Sequence, residues 1–120
     1  MYDHVGVRVR DLAASRRFYA AVLGALGHRE NSHGDDYAGY GAGPATFWLH
    51  LSSGAPAKGA HLCFAAIDPA AVQRFHAAGL EAGGKDNGAP GPRADYGPKY
   101  YAAFLIDPDG NNVEAVVSPR

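Results

Sequence analysis

The chain repeats itself. Residues 4–27, HVGVRVRDLAASRRFYAAVLGALG, align without gaps with residues 61–84, HLCFAAIDPAAVQRFHAAGLEAGG, at an offset of 57 positions and with eleven identities. Alanine matches come cheaply in an alanine-rich sequence, so the weight rests on His4/His61, Asp11/Asp68, Arg17/Arg74, Phe18/Phe75 and Gly27/Gly84. A unit of roughly sixty residues rarely buries its apolar face alone. Two copies in 120 residues therefore predict one domain over 1–120, made of a module at about 1–53, a linker at about 54–58 and a second module at about 59–120.

Each copy begins with strand periodicity. Val5, Val7 and Val9 alternate with His4, Gly6 and Arg8, as Leu62, Phe64 and Ala66 alternate with His61, Cys63 and Ala65. A helix follows. Asp11 and Asp68 supply N-caps, Pro69 suits the first helical position, and apolar stripes run through Phe18, Tyr19, Val22 and Leu23 and through Val72, Phe75, His76 and Leu80. Strand material closes each copy: DYAGYG and TFWLHLSS in the first, KYYAAFLI, a DPDG turn and NNVEAVVS in the second. The fold class is thus α+β: two pseudo-symmetric βαββ(β) modules forming a cup-shaped mixed sheet with helices on the outside. Residues 83–98, rich in glycine and proline, read as an irregular loop with the character of a lid.

With 19% charged residues and a net charge of −1 there is no basic field for nucleic acid or an anionic membrane, which leaves a small-molecule substrate or another protein as the expected partner. A single cysteine excludes an intrachain disulfide, and the start MYDHVGVRV lacks the marks of a signal peptide, so a cytoplasmic setting is expected.

If the helices cover the valine faces, His4 and His61 point to the opposite faces, and a pseudo-twofold axis brings them together near the floor of the cup. In the last strand Val113, Ala115 and Val117 take the helix side, which leaves Glu114 for the cup. Two imidazoles and a carboxylate suit a divalent metal ion, Fe2+, Mn2+, Zn2+ or Ni2+, with positions open for substrate.

Here the sequence resembles the vicinal oxygen chelate superfamily, which includes glyoxalase I, bleomycin-resistance proteins, fosfomycin-resistance enzymes and extradiol dioxygenases. DHVGVRVRDLAASRRFYAAVLGALG, GAHLCFAAIDPAAVQRFHAAG and YYAAFLIDPDGNNVEAV carry the resemblance across both modules. It implies paired modules, a homodimer, and a metal held by His4, His61 and Glu114. The fourth ligand of glyoxalase-type members falls here on Trp48, which cannot ligate, with His50 one pleat further on. Three ligands without a fourth resemble the 2-His-1-carboxylate site of extradiol dioxygenases. The implied function is a metal-dependent small-molecule enzyme, dioxygenase or lyase. The alternatives are a glyoxalase-type isomerase and a metal-free drug-binding protein.

Other candidates depend on register. If Asp107 pairs with Gly110 across the DPDG turn, Tyr101 faces the cup as a catalytic hydroxyl; a slip of one residue exchanges it for Tyr100. Trp48, His50, Arg8 and Tyr96 are the substrate-binding candidates. Cys63 reads as a small buried thiol and His76 as structural, while His28 and His33 carry no signal.

Overall fold

The computed structural model of the chain describes residues 1–117; Ser118, which the pattern above places at the end of the last strand, lies outside them. The order is β1 (Val5–Val9), α1 (Leu12–Ala25), β2 (Arg29–His33), β3 (Tyr37–Gly41), β4 (Phe47–Leu51), then β5 (His61–Ala65), α2 (Pro69–Glu81), β6 (Lys85–Pro92), β7 (Tyr101–Ile106) and β8 (Asn112–Val117). The two halves share one topology, β1-β4-β3-β2 and β5-β8-β7-β6, and in each the first strand runs parallel to the last. Among the described residues no helix is long and apolar enough to cross a membrane.

The caps form as the residues dictate. Asp11 and Asp68 accept from the backbone N–H groups of Ala14 and Ala71 at 3.1 and 2.8 Å. Ser15, Phe18, Tyr19, Val22 and Leu23 make one buried stripe, and Ala71, Val72, Phe75, His76 and Gly79 the other. Leu80, expected in the second stripe, is exposed, because α2 turns Gly79 inward where it meets α1. A Cβ on Gly79 would stand 2.3 Å from Leu105 and 2.9 Å from Val22, so only glycine admits this approach.

Two strands lie where the sequence reads as loop. β2 is polar and edge-placed, with no apolar alternation to announce it. β6 replaces most of the expected lid: Lys85–Pro92 pairs antiparallel with β7 as an edge strand, and its glycines and prolines are absorbed by register shifts between Asp86 and Gly88 and between Gly88 and Gly91.

The modules meet through their apolar faces. Helix α1 packs on α2, Phe47 meets Phe64 edge-on at 5.2 Å, and residues of both sheets and both helices form one buried cluster. The Tyr19 hydroxyl donates to Asp107 at 2.6 Å across the junction, and the Arg17 guanidinium donates to the Glu81 carbonyl at 2.8 Å. Among the described residues the two sheets are separate, with no strand pairing between them. Each therefore turns its other face outward, away from the shared core.

Candidate functional site

The outer face of the second module concentrates the chemistry. The parallel register of β5 with β8 pairs His61 with Asn112 and Cys63 with Glu114. His61 Nε2 lies 3.0 Å from Glu114 Oε1. Glu114 is only 3% exposed, and its second oxygen accepts from the Tyr100 hydroxyl at 2.5 Å. That hydrogen bond to a carboxylate, aided by partial burial, raises the Tyr100 pKa and keeps the phenol a neutral donor. Phe104, paired with Glu114 across β7 and β8, stacks on the His61 imidazole at 6.4 Å and 22°. The Arg93 guanidinium sits 5.5 Å from the Phe104 ring, and Tyr96 meets Tyr100 edge-on at 5.2 Å. His61, Tyr96, Tyr100, Phe104, Asn112 and Glu114 line a cleft of about 320 Å³.

The first module repeats the scaffold with other groups. Gly6 pairs with Trp48 as Cys63 pairs with Glu114, so Trp48 occupies the slot equivalent to Glu114, as the repeat predicts. The indole lies over Gly39, where a Cβ would come within 2.6 Å of the ring, and stacks with His50 at 6.5 Å and 20°. Arg8 pairs with His50, and together with Gly6, Leu51, Ser52 and Ser53 they line a second cleft of about 400 Å³. His4 stands just before β1, 61% exposed at its side chain, with Nδ1 2.7 Å from Asp3.

Two expectations are corrected. His4 does not join His61 and Glu114 within one chain: among the described residues no three His, Cys, Asp or Glu side chains converge as a metal site. The cause is the helical junction, which puts the apolar faces together and sends the two outer faces apart. Tyr101 is on the wrong face: its hydroxyl accepts from Gln73 of α2 at 3.0 Å, while Tyr100 takes the position beside Glu114. The DPDG turn explains the slip. Asp107 stands in register with Asn111 instead of Gly110, around a three-residue loop in which the Gly110 N–H donates to the Asp107 carbonyl and Gly110 adopts φ +92°, and Glu114 consequently faces Phe104 instead of Ala103.

Of the lesser candidates, Cys63 is exposed on the outer face rather than buried. His76 is buried against Asp86 at 2.9 Å, and His33 stands 3.6 Å from Glu30. The Nδ1 atom of His28 is buried without a partner beside Phe47 and Phe64. Phe104 and Asn112 went unnoticed in the sequence: Phe104 owes its place to standing opposite Glu114 and Asn112 to standing beside His61, both matters of register. His61 and Glu114 offer one imidazole nitrogen and one carboxylate oxygen to the same cleft, a donor pair that fits a borderline divalent ion but falls one short of three.

The family model for the Glyoxalase/Bleomycin resistance protein/Dioxygenase superfamily matches residues 2–115. A glyoxalase/bleomycin resistance protein from Albidiferax ferrireducens is 35% identical, with a TM-score of 0.86 and coverage of 99% of both chains. The fosfomycin resistance protein FosX from Mesorhizobium loti shares the fold at 19% identity and a TM-score of 0.73, over 99% of this chain and 92% of that one. A glyoxalase I variant from Zea mays is 25% identical with a TM-score of 0.72, and this chain spans 45% of its length and is itself 99% covered. A comparison with curated protein sequences gives no match.

Proposed function

The chain belongs to the glyoxalase/bleomycin resistance protein/dioxygenase superfamily, and on that premise we propose that it is a metal-dependent small-molecule enzyme whose site is completed between two copies. One observation carries the reading. His61 and Glu114 converge on one cleft, 3.0 Å apart, while His4, their repeat-related third candidate, sits on an outward face of the same chain. A homodimer that lays the first module of one copy against the second module of the other supplies the missing imidazole.

A divalent ion held there would act as a Lewis acid toward vicinal oxygens of a substrate. The chain's own residues do the rest. Tyr100 fixes the Glu114 carboxylate in one rotamer and holds a proton at its hydroxyl, within reach of the cleft. Phe104 holds the His61 ring by stacking. Tyr96, Trp48 and His50 offer aromatic walls, and Arg8 a cation, to the bound molecule. Trp48 in the slot of a fourth ligand favours a 2-His-1-carboxylate set of the extradiol dioxygenase kind over a four-ligand isomerase.

A metal-free binding protein is the second reading, favoured by the Trp48–His50 stack and by Tyr37, whose ring lies 6.2 Å from the indole. Elemental analysis after loading with Fe2+, Mn2+, Zn2+ or Ni2+ decides between the two. About one ion per chain in the wild type, lost in His61→Ala, supports the enzyme. No metal above background in folded wild type, or undiminished metal in His61→Ala, leaves the binding protein.

A further inference from the structure

The geometry points to an anion-binding subsite on the first module, built from Arg8, His50 and Ser53, that takes the carboxylate or phosphate group of a small molecule. It rests on the reading of the outer faces as the substrate-binding surface, and it adds the chemical class of what binds there.

Arg8 and His50 are direct neighbours in the parallel register of β1 and β4. Two basic side chains side by side on adjacent strands gain nothing from one another, and once the imidazole is protonated they repel. Sheets commonly relieve such a pair with a carboxylate. Here neither residue takes part in an ion pair or side-chain hydrogen bond among the described residues, and no acidic residue lines the cleft they share. The guanidinium fork, which matches carboxylate and phosphate oxygens with two parallel donors, is left open to solvent in a cleft of about 400 Å³.

The far wall of the cleft is shaped by a turn that closes on itself. The Ser52 hydroxyl accepts from the Gly54 N–H at 3.1 Å and donates toward the carbonyls of Gly54 and Ala55 at 2.9 and 3.0 Å. Ser52 is thereby spent on the turn, and Ser53, next along and also lining the cleft, keeps an uncommitted hydroxyl. The near wall includes Gly6. The His50 ring lies over it, at ordinary contact distance (3.4 Å) from where a Cβ would stand. An unpaired guanidinium, an imidazole and a free hydroxyl lining one cleft make a receptor for one anionic group.

The test is a titration of 15N-labelled protein with inorganic phosphate, acetate and benzoate at ionic strength matched with potassium chloride. Saturable shifts of the Gly6, Arg8 and Ser53 amides are expected with at least one of these anions. Arg8→Ala should weaken that binding about tenfold or more, as befits loss of a bidentate charged contact. Preference for phosphate or for the carboxylates identifies the group. His61→Ala should bind the anion as wild type does while losing metal, so failure here and failure of the metal reading are separable. No saturable shift with any of the three, or equal binding by folded Arg8→Ala, overturns the subsite.

Discussion

The Tyr100 hydroxyl stands 2.5 Å from Glu114 Oε2, and His61 Nε2 stands 3.0 Å from Oε1 of the same carboxylate. Each oxygen of a nearly buried Glu114 is thus engaged by a different side chain, which fixes the plane of the carboxylate relative to the cleft. Tyr100→Phe removes one of these contacts without changing the shape of the wall. The expected result is a folded protein whose metal affinity falls about 10- to 100-fold, the range typical when an outer partner of a ligand is lost. Calorimetric titration of Mn2+ or Zn2+ into both proteins measures it. Tyr101→Phe, which removes a hydroxyl bonded to Gln73 of α2, should leave metal affinity unchanged.

The junction between modules offers a prediction about stability. Tyr19 and Asp107 are both buried, and their 2.6 Å hydrogen bond ties α1 of one module to the turn of the other. Asp107 is otherwise well supplied: one oxygen accepts from the Asp109 and Asn111 N–H groups, and the other accepts from the Asn111 side chain at 3.0 Å. Tyr19→Phe should therefore cost about 1–3 kcal/mol, not abolish folding. Urea unfolding checks the figure, with an unchanged m-value showing that both modules still unfold together.

Acid sensitivity should arise in part at Glu30. Its carboxylate takes two hydrogen bonds from Arg16 at 2.8 Å and one from Tyr40 at 3.2 Å, and the Arg16 contact, foremost, lowers its pKa. A carboxyl with a depressed folded pKa stabilises the protein fully above its unfolded value, and that contribution disappears as the pH falls through the folded one. Thermal melts should therefore decline from about pH 5 to about pH 3. Glu30→Gln should flatten that decline, leaving the share due to Asp86, which is lowered first by the Gly88 N–H and then by His76. An identical acid limb in the variant would contradict the assignment.

Much of this molecule is written in its repeat. The offset of 57 places His4 with His61 and Gly6 with Cys63, and the strand registers then put Trp48 beside Gly6 where Glu114 stands beside Cys63. The caps at Asp11 and Asp68 and the core stripes through Phe18 and Phe75 are local patterns, and they hold. What fails is non-local or depends on a single residue of register. Nothing in the alternation of β1 or β5 says whether the two apolar faces share a core or flank a cup, so the meeting of His4 with His61 could not be settled from periodicity. The exchange of Tyr101 for Tyr100 turns on Gly110 taking a left-handed conformation in a three-residue loop. The edge strands β2 and β6 lack alternation because they have little to bury.

The central claim is that one site draws His61 and Glu114 from one copy and His4 from another. Mixing of inactive subunits tests it most directly. His4→Ala and His61→Ala, purified separately, should each bind little metal. Unfolded together and refolded as an equal mixture, they should recover about one quarter of the wild-type sites, because half of the dimers are hybrids and each hybrid rebuilds one site of two. Size-exclusion chromatography with metal analysis of the dimer peak reads the result. No recovery in a mixture that has formed dimers, or full metal binding by His4→Ala alone, would contradict a site shared between copies.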